Sequence, residues 1–205
     1  MIEVIESGIF TTIQDIGRYG YQRYGVPVSG ALDQFALRVA NLLVGNAEGG
    51  ACLEMTFIGP RLRFLADTVI AVAGGDLGPL LNSQPIACWQ SIAAPQGSIL
   101  SFTGPQDGIR AYLAVAGGID ASVVLGSRST YTRSSLGGLE GRALGPGDKL
   151  SVSARGYLPQ VVGRTLATQH IPAYGNSHVL RVVLGPQEDA FTDRGITTFL
   201  SSTYT

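Results

Sequence analysis

The chain has 205 residues, 45% hydrophobic and 14% charged, with 28 glycines and 10 prolines, a balance that excludes disorder and long charged helices and favours packed strands with many turns. A net charge of -1 leaves no electrostatic footprint for nucleic acid or an anionic membrane surface. Cys52 and Cys88 stand in apolar strand-like segments as small hydrophobes; no basic-then-apolar N-terminal signal is visible and no apolar run reaches membrane-span length, so a cytoplasmic protein with reduced thiols is expected.

In chain order, the first strong period is helical. Leu32, Phe35, Ala36, Val39, Ala40 and Leu43 follow the i, i+3, i+4, i+7 stripe and predict a helix over Gly30 to Val44. Ser29 is its expected N-cap, Asp33 its first-turn acid, and Gly45-Asn46 its left-handed stop. Strand-length apolar runs follow, separated by turn residues: Leu53 to Ile58, Leu62 to Leu65, Thr68 to Ala73, Leu80-Leu81, Ile86 to Trp89, Ser98 to Phe102, Ile109 to Val115 and Asp148 to Val152. Gly59-Pro60, Gly74-Gly75 and Asn82-Ser83 read as the turns. This spacing predicts a mainly β fold, closed or nearly closed into a barrel, with one clear N-terminal helix.

Two stretches break the rhythm. Residues 117–147, rich in Gly, Ser, Thr and Arg, are longer than an ordinary connection and are expected to form a functional loop system. Residues 154–177, polar and irregular, read as a linker between a first domain, 1–153, and the start of a second, 178–205, which opens with a strand over His178 to Leu184.

No phosphate-loop, dinucleotide, nucleophile-elbow or zinc-spaced motif is present. Two polar constellations remain. In the first, running from Thr11 to Asp33, Asp15 and Arg18 are close enough in sequence to pair; with Ser29 and the free N–H groups opening the helix, they could hold an anion or fasten the N-terminal loop. In the second, Gly126-Ser127-Arg128-Ser129-Thr130-Tyr131, followed by Arg133, combines guanidinium groups, hydroxyls and glycine-exposed backbone suited to a carboxylate or phosphoryl group. The candidate catalytic residues are Asp15, Asp33 and Arg128. Arg18, Ser29, Ser129, Thr130, Tyr131 and Arg133 are the candidate anion binders, and no metal site is visible.

The blocks TTIQDIGRYGYQRYGVPVSGALDQFALRVANLLVGN, LEMTFIGPRLRF, RAYLAVAGGID, VLGSRSTYTRSSLGGLEGRALGPGDKL and LRVVLGPQEDAF occur in this order across nearly the entire chain. Together they resemble the 5-oxoprolinase subunit-C family, also called allophanate hydrolase subunit 2 or biotin-dependent carboxyltransferase-like. The resemblance implies a pair of cyclophilin-like β-barrel domains, the second truncated here and the fragment inactive by itself. It also implies ATP-dependent opening of 5-oxoproline to glutamate, with ATP as the nucleotide and subunit-B-like and subunit-A-like proteins as partners. Phosphorylating the lactam oxygen would create a leaving group, and developing charge there calls for cationic and hydrogen-bond donors, a need that Arg128, Ser129, Thr130 and Tyr131 fit. Related domains imply two alternatives: carboxyl transfer to urea, as in urea carboxylase, or antagonism of a histidine-kinase inhibitor.

Overall fold

The computed structural model describes residues 1–153, 158–175 and 177–204. The chain divides into two compact units, Met1–Tyr174 and Gly175–Thr205. Among the described residues the first contains twelve strands: β1 (Ile2–Glu6), β2 (Phe10–Gln14), β3 (Cys52–Thr56), β4 (Arg61–Phe64), β5 (Thr68–Asp76), β6 (Pro79–Leu81), β7 (Gln84–Pro85), β8 (Gln90–Ala94), β9 (Ile99–Phe102), β10 (Asp107–Val115), β11 (Ile119–Asp120) and β12 (Lys149–Val152). Helix α1 (Gln34–Leu43) lies between β2 and β3 in the chain.

The strands form two antiparallel sheets rather than one continuous ladder, in the orders β11-β12-β1-β4-β9-β6-β7 and β2-β3-β10-β5-β8. Their mutual packing follows from alternation. On β5, Ile70 and Val72 enter the core between the sheets, while Val69, Ala71 and Ala73 face α1. On β10, Ala111, Leu113 and Val115 point inward and Tyr112 and Ala114 outward. Both strands are therefore buried on two faces, which is why they read as unbroken apolar runs. Small residues on the outer face meet Ala36, Leu37 and Ala40 of the helix and let it approach closely. Burying each large aliphatic side chain in these layers contributes about 2 kcal/mol.

Several sequence expectations are corrected. The helix begins at Gln34, not Gly30, because Asp33 is the N-cap: its carboxylate accepts from the Ala36 N–H at 2.9 Å. Ser29 and Gly30 instead occupy left-handed turn conformations at φ 53° and 86°. The C-terminal stop at Gly45 is observed, with φ 79°. Gly74-Gly75 lies inside β5, opposite the register shift between Asp107 and Ala111, so these glycines mark a bulge rather than a turn. Ile86 to Trp89 is a connection, not a strand; Trp89 takes φ 61° and its N–H bonds the Val72 carbonyl. Asn82 and Ser83, both at positive φ, close the β6–β7 hairpin as their type suggests.

The expected linker is only partly separate. Residues 154–157 and Asn176 of it lie outside the described residues, but 158–174 strap the first unit. Ser91 N–H bonds the Arg164 carbonyl, Gly163 N–H the Ser91 carbonyl and Leu166 N–H the Trp89 carbonyl, while Val161 joins the helix-side core. In the second unit, His178 to Leu184 has no strand pairing among the described residues, and Val179 and Val183 are exposed. A strand needs a neighbour to take its backbone hydrogen bonds, and apolar alternation does not supply one. This unit instead contains α2 (Asp193–Ser201), capped by Thr192, whose Oγ1 accepts from Gly195 N–H at 3.1 Å. Val182, Leu184, Phe191, Ile196 and Phe199 line an apolar groove of about 490 Å³ within it.

Candidate functional site

Strand β2 lies at one edge of its sheet, and the long glycine-rich segment folds onto that edge. Thr130 N–H bonds the Ile13 carbonyl at 2.9 Å, and Leu144 N–H bonds the Thr11 carbonyl at 2.9 Å. Just past the strand, Asp15 points its carboxylate into this segment. Oδ1 accepts from Ser127 Oγ at 2.7 Å, Ser129 Oγ at 2.5 Å and Gly17 N–H at 2.8 Å; Oδ2 accepts from Arg128 N–H at 2.6 Å. Burial alone would raise its pKa, but the hydrogen bonds from Ser129, Ser127 and the Arg128 and Gly17 backbone outweigh it and hold the carboxyl below its ordinary value.

Arg18 does not pair directly with Asp15. Its guanidinium is buried, donates through Nη2 to the Ser129 carbonyl, and reaches the Val124 carbonyl through Nε at 3.5 Å. Ser129 therefore stands between the two charges, with its hydroxyl on Asp15 and its carbonyl on Arg18. Gln14 extends the clamp, donating to the Thr130 carbonyl at 3.1 Å and accepting from Gly30 N–H at 3.1 Å. Two loops, 15–33 and 124–138, thus converge on Arg18, each closed locally by left-handed turns at glycines such as Gly17, Gly30, Gly137 and Gly138.

The candidate anion binders are placed unequally by this arrangement. Ser129 and Thr130 are buried, and the Thr130 hydroxyl is bonded to the Ile13 carbonyl at 2.9 Å. Tyr131 is half-buried and its backbone pairs with Leu136; Arg133 is exposed on the turn that follows. The Arg128 side chain is 35% exposed, with Asp120 at 3.7 Å as a loose partner. Asp33 lies outside this cluster, one carboxylate oxygen capping α1 and the other accepting from Tyr174 OH at 2.8 Å. At the helix N-terminus the Asp33 cap therefore occupies the Ala36 N–H.

Sequence reasoning missed a second buried polar group under the 30–33 segment. On the outer sheet face, Glu54 accepts from Arg110 Nη1 at 2.7 Å, Tyr112 OH at 2.7 Å and Leu32 N–H at 2.9 Å, while the Tyr112 oxygen accepts from Asp33 N–H at 2.8 Å. Burial first, then the Glu54 charge, pushes the Tyr112 hydroxyl well above its ordinary value, so it stays protonated and donates. The available signal was an acid and an arginine inside otherwise apolar strands, since such groups are buried only when paired. The cysteines play no part in this chemistry: burial raises both thiols, Cys88 to about 12 with Asp76 adding to it, far from a reactive thiolate.

Together these contacts make a rigid platform on the β2 edge, with the Arg128 guanidinium at its surface. Residues 24–205 match the family profile of the carboxyltransferase domain, subdomain A and B. The chain belongs to that family.

Among its relatives, this carboxyltransferase-family chain is 41% identical over 152 residues to the 5-oxoprolinase subunit-C protein of Escherichia coli (strain K12), covering 74% of this chain and 49% of that one. It is 35% identical over 163 residues to the Haemophilus influenzae protein of the same name, covering 80% and 53%. Urea amidolyase of Lachancea kluyveri is 44% identical over 149 residues, covering 72% of this chain and 8% of that protein. The chain thus spans about half the length of its 5-oxoprolinase relatives and a small part of the amidolyase. Among solved structures, the K. lactis urea amidolyase superposes with a TM-score of 0.80 at 36% identity, over 98% of this chain and 13% of that one. The mainly β architecture and the resemblance drawn from the sequence blocks both hold.

Proposed function

We propose that this chain works as the subdomain A and B part of the subunit-C component of a 5-oxoprolinase, in an assembly with subunit-B-like and subunit-A-like proteins that converts 5-oxoproline, ATP and water into glutamate, ADP and phosphate. The reading is supported by the two 5-oxoprolinase relatives, which match at 41% and 35% identity. The observation that carries it locally is the Asp15 clamp on the Arg128 peptide. It fixes the backbone from which a partly exposed guanidinium projects, in position to hold a carboxylate or a phosphoryl oxygen. In this role Arg128 is the anion-binding group and Asp15 a positioning residue, since its lone pairs are engaged by four donors. Arg128 and the exposed Arg133 fit the charge of ATP phosphates. A cytoplasmic setting, with both thiols reduced, suits the same reading.

The test is ATP-dependent glutamate release by the protein expressed with both partner subunits. Arg128→Ala is expected to reduce kcat/KM about 100-fold, the scale of a lost charge-stabilising donor. Unchanged turnover would remove Arg128 from the site, and absence of turnover in the assembled wild type would remove the oxoprolinase reading. A second reading, carboxyl transfer to a urea-type substrate, is favoured by the 44% identity to the amidolyase and by the family itself. Carboxylation of urea from carboxybiotin, with no glutamate released from 5-oxoproline, would select it.

A further inference from the structure

We propose that the 19–24 loop and the opening turn of α1 form a docking face for an acidic segment of the subunit-B-like protein, an inference that rests on the multi-subunit reading above. The composition of this surface is one-sided. From Ile16 to Leu32 the chain contains Arg18 and Arg23 and no acidic residue, although the whole chain has a net charge of -1; Asp33, the acid that caps α1, has its carboxylate engaged by the Ala36 N–H and the Tyr174 hydroxyl. Residues 121–139, which converge on the same Arg18, contain Arg128 and Arg133 and likewise no acid. Arg18 is consumed inside the platform, whereas Arg23 and Arg133 are exposed and Arg128 is partly so.

Large apolar side chains accompany that charge. Tyr19, Tyr24, Leu32 and Phe35 are 57%, 66%, 76% and 46% exposed. Gln34 Nε2 donates to Tyr19 OH at 3.1 Å, which ties the loop to the start of the helix, and the Arg23 guanidinium lies 4.7 Å over the Tyr24 ring. Scattered exposed apolar residues are ordinary, but tyrosine and arginine brought together with acids depleted is the composition of interface centres. Excess positive charge selects a partner that presents carboxylates, and it speeds their encounter.

The loop is also fixed in advance. Arg18 N–H bonds the Val28 carbonyl at 2.8 Å across its base, and Tyr24 and Gly25 N–H groups bond the Tyr21 and Gln22 carbonyls at 2.9 Å. Gly20 N–H bonds Gln22 Oε1 at 3.1 Å. Little ordering entropy is then lost when a partner binds.

The experiment is isothermal titration of the purified protein with the subunit-B-like protein at low and high salt. Arg23→Glu and Tyr24→Ala are each expected to weaken binding about tenfold, and salt to weaken the wild type by screening. Arg63→Glu, on a strand of the other sheet, is expected to change affinity less than about twofold. Wild-type binding that survives Arg23→Glu and Tyr24→Ala unchanged would overturn the docking face and leave the multi-subunit reading standing. No complex with the wild type would overturn both. A wild-type self-association abolished by Arg23→Glu would assign the face to a second copy and overturn the proposal.

Discussion

Asp15 shows how a carboxylate can be central to a site without being free to act as a base. Its four donors come from Gly17, Ser127, Arg128 and Ser129, so Asp15→Asn turns an amide N–H toward groups that need an acceptor. Hydrogen bonds to a buried charge support a loss of about 2 to 4 kcal/mol, measurable by urea unfolding at pH 7. The pH dependence follows from the lowered pKa of the folded state. Stabilisation by the ionised Asp15 is complete above the unfolded carboxyl value of about 3.9 and is lost as pH falls below it through the lower folded value. The stability difference between wild type and Asp15→Asn should therefore shrink in strong acid; an equal difference at pH 7 and at a pH of about 2.5 would contradict the clamp. Both Asp15 and Arg128 were legible in the sequence as polar residues in conspicuous motifs. That one holds the other's peptide was not, because the partners are 113 residues apart.

At the scale of elements, the period of the sequence locates most strands of the first unit and its helix, and it fails where backbone conformation or pairing decides. The helix starts at Gln34 rather than Gly30 because residues 28–31 cross the chain at Gly17: Arg18 N–H takes the Val28 carbonyl and Ala31 N–H the Asp15 carbonyl. A Cβ on Gly30 would lie 2.8 Å from Gly17 N and 2.9 Å from Gly17 Cα, at a φ of 86°. Gly30→Ala should thus cost about 1 to 3 kcal/mol, read as a lowered urea midpoint, whereas an unchanged midpoint would contradict the close crossing. Strands β1 and β2, which the apolar period does not predict, are short segments whose identity comes from the ladders they join. His178 to Leu184 is the converse case, strand-like in composition and unpaired in the structure.

For the whole molecule, the boundary at Tyr174 rather than at 153 carries a direct consequence. The 158–174 strap buries Val161, bonds β8 through Ser91 and ends with Tyr174 OH on the Asp33 carboxylate. A protein ending at Tyr174 should keep the cooperative thermal transition of the first unit. Ending at 153 should lower its Tm by at least about 5 °C, since each lost kcal/mol moves a domain of this size by several degrees. Equal melting of the two would show that the strap adds nothing. Apolar period, turn residues and ordered sequence blocks by themselves determined a mainly β chain with one early helix and its family, because those signals are local or collinear. Only the tertiary structure decided which polar residues meet. Asp15 with Ser127 and Ser129, and Glu54 with Arg110 and Tyr112, are pairings across 56 to 114 residues. They are imposed by the requirement that every buried charge and hydroxyl find a partner once the sheets close over it.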